Sequence, residues 1–168
     1  MTQLPDKFKL QVAQLLGQEE ADGLCRALLE EPTVSVRVNR AKAGCPPQDV
    51  ENERVPWCET GYYLSSRPSF TLDPLFHAGT YYVQEASSMF IEQAFKTMNF
   101  QPQRMLDLCA APGGKSTLWR SLLPDGALLV ANEPIRQRAM ILLENLTKWG
   151  HPDVVVTNAY PEDFAPLR

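Results

Sequence analysis

Arg104-Met105-Leu106-Asp107-Leu108-Cys109-Ala110-Ala111-Pro112-Gly113-Gly114-Lys115-Ser116-Thr117 reads as strand, tight loop and helix. Met105, Leu106 and Leu108 form the short apolar run of a buried parallel strand, and Gly113-Gly114 lets the backbone approach a ligand with no Cβ in the way. Lys115-Ser116-Thr117 opens the helix. Free N–H groups at a helix start carry partial positive charge, so the sequence predicts a small anionic group, carboxylate or phosphate, over this turn.

Spacing separates the ligand classes that use such a turn. A phosphate loop G-x-x-x-x-G-K-[ST] needs its first glycine where Cys109 stands. A dinucleotide fingerprint G-x-G-x-x-G needs a third glycine, which does not follow the adjacent pair Gly113-Gly114. The remaining class is the related loop that holds the amino-acid part of S-adenosylmethionine. A second strand, Ala127 to Ala131, ends at Asn132-Glu133, about 20 residues after the glycines, the distance at which such folds grip ribose hydroxyls. Glu133 is the expected ribose ligand, across from a cofactor loop of Cys109, Ala110, Ala111, Pro112, Gly113, Gly114 and Lys115.

The wording of the loop is more specific than its shape. Asp107 to Ser116 (DLCAAPGGKS), Asn132-Glu133-Pro134 and Tyr81 to Ser88 (YYVQEASS) together resemble the Nop/Sun family of RNA cytosine-5 methyltransferases. Gly61 to Leu64 (GYYL) and Phe70 to Gly79 (FTLDPLFHAG) resemble the lead-in of its bacterial ribosomal-RNA branch. The resemblance implies an α/β fold: an incomplete Rossmann-like methyltransferase domain over residues 81–168, preceded by a small α+β domain over residues 1–80 that contacts RNA. It implies S-adenosylmethionine as cofactor, ribosomal RNA as partner with transfer RNA second, and formation of 5-methylcytosine. It also makes Arg138 a cofactor-site candidate beside the plainer alternative of a surface arginine.

Two departures from the family pattern bear on chemistry. An aspartate in an Asn-x-Asp arrangement usually approaches the adenine at the end of the third strand, whereas this chain has Asn158-Ala159-Tyr160, leaving Tyr160 or Asp163 as substitutes. The family also adds a cysteine thiolate to carbon 6 of a flipped cytosine, so that carbon 5 attacks the sulfonium methyl, and uses a second cysteine in product release. Those cysteines lie in Pro-Cys and Thr-Cys motifs downstream of the third strand. None of Cys25, Cys45, Cys58 and Cys109 follows proline or threonine, so no catalytic residue is assigned. With only three strands of a larger sheet legible, the chain is expected to be the front part of a longer protein. The alternative is a non-catalytic RNA-binding or structural module.

Composition bounds these expectations. The 168 residues are 44% apolar, as in a globular protein, with no run approaching the roughly 20 apolar residues that span a bilayer. No leader pattern opens the chain, which therefore reads as cytoplasmic. The four cysteines lack the spacing of a zinc site and read as reduced and structural, so no metal is expected. A net charge of −4 has the wrong sign for wholesale phosphate neutralisation. The acidic surplus, however, sits mostly in residues 1–31, and residues 33–73 carry Arg37, Arg40, Lys42, Arg54 and Arg67.

Outward from the loop, hydrophobic period supplies the elements. Phe8, Val12, Leu15 and Leu16 predict a helix over 6–16 closed by Gly17, and Leu24, Ala27 and Leu28 a second over 19–29. Val34, Val36 and Val38 alternate with Ser35, Arg37 and Asn39, the period of a strand with one wet face. Residues 41–56 read as a surface loop, 57–64 as a returning strand with Gly61 at a bulge or turn, and 70–86 as irregular, with His77 structural. Trp57, Tyr62 and Tyr63 beside Arg54 and Arg67 are base-stacking candidates, with a small aromatic core as the alternative. A helix over 88–98 is expected to bury Phe90, Ile91, Ala94, Phe95 and Met98. After the 115–123 helix, Pro134 opens one that buries Ala139, Leu142, Leu143 and Leu146, and Val154-Val155-Val156 is the third strand.

Overall fold

The computed structural model describes residues 3–42 and 53–166, which form two compact units, Met1–Thr33 and Val34–Arg168. The first unit is a pair of helices, α1 (Asp6–Leu16) and α2 (Gln18–Ala27). Gly17 joins them at φ +84, where its N–H closes α1 on the Ala13 carbonyl at 3.0 Å. A residue with a Cβ would resist that left-handed backbone. The expected inner faces are not what is buried: Val12 and Ala21 are covered, whereas Leu15, Leu16, Leu24 and Leu28 are exposed. Helical period marks an apolar stripe but not its cover, and two short helices have little area to offer each other.

The second unit holds two sheets. An antiparallel sheet of order β2-β1-β3 is built from β1 (Val34–Val38), β2 (Gly61–Leu64) and β3 (Tyr81–Val83). Val36 sits opposite Tyr62 on one side and Val83 on the other. The segment read as irregular contains a 3-10 turn (Phe70–Leu72), α3 (Pro74–His77) and β3, whose three residues are too few to show a period. The region read as a loop contributes Val55 to the core. Cys45 and most of that segment lie outside the described residues.

β1 has no wet face. Ser35, Arg37 and Asn39 are buried, because other elements of the same unit cover the side expected to face solvent. Ser35 and Asn39 find backbone partners. The Ser35 hydroxyl donates to the Gln84 carbonyl at 2.6 Å, and Asn39 Nδ2 donates to the Gly79 and Trp149 carbonyls at 3.1 and 2.9 Å.

The expected 88–98 helix is two short ones, α4 (Ala86–Met89) and α5 (Ile91–Lys96), and its buried face is shifted. Met89 and Glu92 are buried, whereas Phe90 and Met98 are exposed. Phe90 meets Trp57 edge-on at 6.1 Å, and Met89 packs with Val55, Cys58, Ala86 and Leu118. The aromatic-core alternative holds for Trp57, whose indole N–H donates to the Ala86 carbonyl at 2.6 Å.

The parallel sheet has order β4-β5-β6: β4 (Arg104–Asp107), β5 (Leu128–Asn132) and β6 (Val154–Thr157), with α6 (Gly114–Leu122) and α7 (Arg136–Trp149) as crossovers. This is the expected strand–helix alternation. Leu129 and Ala131 are buried on the helix side, while Leu106 and Val155 are 43% and 47% exposed. α7 starts two residues after Pro134, and Trp149 takes the buried place expected for Leu143, which is exposed.

Candidate functional site

The C-terminal ends of β4 and β5 and the first turns of α6 and α7 converge on the glycine loop. Gly113 has φ +117 and is the N-terminal flank of α6, which carries no side-chain cap. Its conformation requires glycine, whereas its surroundings would admit a Cβ, which would lie 3.4 Å from Leu142 Cδ1 and 3.5 Å from Asn145 Cβ, ordinary van der Waals contact. The loop is held on the α7 side, with Arg138 Nη2 donating to the Ala111 carbonyl at 3.1 Å and Asn145 Nδ2 to the Pro112 carbonyl at 2.7 Å. Ala110 N–H donates to the Asn132 carbonyl at 2.8 Å, tying the loop to β5. The Ala111–Pro112 peptide is cis. Cys109 and Lys115 are exposed.

Glu133 directly follows β5 and is 1% exposed. Its Oε1 accepts the Ile135 N–H at 3.1 Å and its Oε2 lies 3.5 Å from Arg138 Nη2. Arg138 therefore spans the loop and the acid. Asn132, fully buried, ties three chain ends: its Nδ2 donates to the Leu108 and Ala159 carbonyls, and its Oδ1 accepts from the Thr157 hydroxyl and Ala159 N–H. Asn158 Nδ2 donates to the Glu133 and Pro134 carbonyls at 2.7 and 2.9 Å. Asp163 accepts the Tyr160 N–H at 2.9 Å as the cap of a 3-10 turn (Pro161–Phe164), while the Tyr160 side chain is exposed.

Sequence reasoning missed what braces the loop from outside. Asp107 accepts the Ser116 hydroxyl at 2.8 Å, linking the end of β4 to α6. Arg37, fully buried, donates through Nε to Gln84 Oε1 at 2.9 Å and through Nη2 to the Gly114 carbonyl at 3.2 Å and the Thr117 hydroxyl. Its guanidinium lies 4.5 Å from the Trp149 ring centroid. Burial pulls its pKa down to about 10. The signal for Arg37 is an arginine in a valine-alternating strand, a pattern that alternation alone assigns to a wet face. Gln84 lay unassigned inside the YYVQEASS motif.

The arrangement fits an anionic, ribose-bearing ligand. The uncapped start of α6 offers N–H groups to a carboxylate, Gly113-Gly114 permits close approach, and Glu133 is a hydrogen-bond acceptor at the neighbouring strand end. Cys58 is buried, and burial together with Glu92 pushes its thiol up, away from the reactive thiolate. Among the described residues no group of three or more His, Cys, Asp or Glu side chains is placed to hold a metal ion. None of their helices is long and apolar enough to cross a membrane.

Comparison with known proteins bears on the same residues. Residues 4–86 match the family described as the N-terminal domain of 16S rRNA methyltransferase RsmF, and residues 96–164 match 16S rRNA methyltransferase RsmB/F. Ribosomal RNA small subunit methyltransferase F of Shewanella sp. (strain ANA-3) is 34% identical over 168 residues, covering 94% of this chain and 35% of that protein. The chain spans about a third of the length of the curated relatives it matches. A solved methyltransferase homolog protein from Pyrococcus horikoshii is 25% identical with a TM-score of 0.76, covering 98% of this chain and 60% of that one. The structure of NSun6 from Pyrococcus horikoshii with SFG shares the fold at 16% identity and a TM-score of 0.76, covering 97% of this chain and 67% of that one.

Proposed function

This chain belongs to the 16S rRNA methyltransferase RsmB/F family, and from that premise we propose that it supplies the S-adenosylmethionine-binding part of an enzyme that forms 5-methylcytosine in ribosomal RNA. The observation that carries this is the uncapped, glycine-flanked start of α6, whose loop Arg138 ties through the Ala111 carbonyl to Glu133 just past the adjacent strand. The methionine carboxylate is held at the loop Cys109 to Lys115, the ribose hydroxyls by Glu133, and Arg138 positions both sides. The bound cofactor supplies an electrophilic methyl group. Residues 1–80 act in RNA contact and residues 81–168 in cofactor binding, a functional division distinct from the compact units, which part after Thr33. The protein acts in the cytoplasm, where its RNA substrate is.

The cysteines support a second statement, that this chain alone transfers no methyl group. None of them follows proline or threonine, and Cys58 is buried. A thiolate must reach carbon 6 of the base before carbon 5 attacks the methyl. Calorimetry with S-adenosylhomocysteine tests the cofactor site, and absence of a binding heat refutes it. Incubation with tritiated S-adenosylmethionine and unmodified 16S RNA tests this second statement. Background label is expected, and incorporation that survives Cys109→Ala would overturn the account of the missing cysteines.

A further inference from the structure

We propose that the cleft between the Phe70–Val83 segment and the last turns of α7 takes one unstacked base of single-stranded RNA, with Arg67 and Lys148 holding its phosphates. The cleft encloses about 250 Å³. That is below the roughly 300–1,000 Å³ of sites for drug-sized ligands and suits a single planar ring. Five aromatic residues line it: Phe70, Phe76, Tyr81, Tyr82 and Trp149. Phe70, Tyr81 and Trp149 are buried in the fold, but Phe76 and Tyr82 are only half-buried, so ring surface remains available to a ligand.

The rim selects for an anion. Lys148 Nζ lies 5.1 Å from the Phe76 ring centroid and the Arg67 guanidinium 5.8 Å from that of Phe70. Lys42 adds a third positive charge, its Nζ donating to the carbonyls of Ala78 and Lys148. Asp73 is engaged by the Tyr81 hydroxyl at 2.6 Å, and the Glu144 carboxylate, which pairs with Lys148 at 3.1 Å and is exposed, is the partner that an RNA phosphate replaces. Arg67 makes no ion pair among the described residues. On a chain of net charge −4, aromatic rings bordered by cations are the local chemistry that recognises nucleotides in a single strand. Tyr82 also stands beside the glycine loop, since a Cβ built on Gly114 would come into ordinary contact with its Cε1 at 3.4 Å. A base in this cleft therefore contacts a side chain that itself stands beside the loop.

This inference rests on the RNA reading above, and the experiment separates the two. A short single-stranded RNA carrying 2-aminopurine is titrated into the full chain at low salt, with S-adenosylhomocysteine calorimetry on every variant. Phe76→Leu keeps apolar volume and removes the stacking face, so affinity falls about tenfold or more and fluorescence quenching is lost. Lys148→Gln lowers the salt slope by about 0.7, the value of one phosphate contact on a single strand. Both variants keep cofactor binding, which shows that they are folded. RNA affinity and quenching unchanged in both variants overturn the pocket while leaving the proposed function standing. Cofactor binding without RNA affinity in the unsubstituted chain overturns the pocket together with its RNA premise.

Discussion

Replacing Arg37 and Gln84 singly and together tests whether they act as one unit that braces the glycine loop. Arg37→Met removes a cation that is fully buried and whose Nη1 lacks a partner, as does Gln84 Nε2. It therefore relieves a desolvation penalty while breaking bonds to Gln84, Gly114 and Thr117. The Thr117 hydroxyl retains the Gly113 and Gly114 carbonyls at 2.8 and 3.1 Å, so the group left orphaned is Gln84 Oε1. An orphaned buried acceptor costs about 1–3 kcal/mol, and loss of the Trp149 contact about 1 more. Arg37→Met should destabilise by about 2–4 kcal/mol. Gln84→Met leaves the charge in place with one partner fewer and should cost about 3–5 kcal/mol. The double variant has neither orphan, so it should lie about 1–3 kcal/mol above the sum of the singles in stability. Urea unfolding followed by tryptophan fluorescence measures all four corners of the cycle. Strict additivity would refute the claim that the pair is one unit.

Glu133→Ala should weaken S-adenosylhomocysteine binding by about 1–3 kcal/mol, the cost of a lost hydrogen bond to a charged group; unchanged calorimetric affinity removes Glu133 from the site. Iodoacetamide should label exposed Cys109 at least about tenfold faster than Cys58, whose thiol is buried and held above its ordinary pKa, and S-adenosylhomocysteine should protect Cys109. Peptide mass mapping reads both rates, and equal labelling contradicts the burial argument. Gly79→Ala should cost about 2–4 kcal/mol, because φ is +69 and the new Cβ would lie 1.9 Å from the Lys148 carbonyl oxygen. Gly126→Ala, at φ +78 with nothing within 4 Å, should cost only about 1–2 kcal/mol, and equal melting temperatures would count against the difference.

The strand, glycine loop and helix start are legible in the sequence because their determinants are local: a glycine pair, a helix start and the strand that follows lie within one strand–helix–strand unit. The same holds for β4, β5, β6 and their crossover helices. Arg37 was not legible, because the alternation of β1 reports two faces without reporting what covers them. Its partners Gln84, Gly114 and Thr117 are distant in sequence, and no local period announces them. The split at Phe90 hid for a related reason. Phe90 is apolar and in helical register with the buried set, yet it lies on the exposed side against Trp57, while the carboxylate of Glu92 is buried with Lys96 at 2.8 Å. Asp163, one of two candidates for the acid that approaches the adenine, accepts the Tyr160 N–H as a cap, a contact that no local period announces.

The parallel sheet has one face clothed by helices and one on which Leu106 and Val155 stand in solvent, and this governs how the isolated chain behaves as a colloid. Copies are held apart chiefly by like charge, and the isoelectric point is near 5.2. Acidification toward that value removes the repulsion, and concentrated salt screens it, so either lets the bare faces of neighbouring molecules meet. β4, which pairs with β5 alone among the described strands, adds open backbone groups along which such contacts can extend. Light scattering from the chain should accordingly be least in dilute buffer on the alkaline side of its isoelectric point.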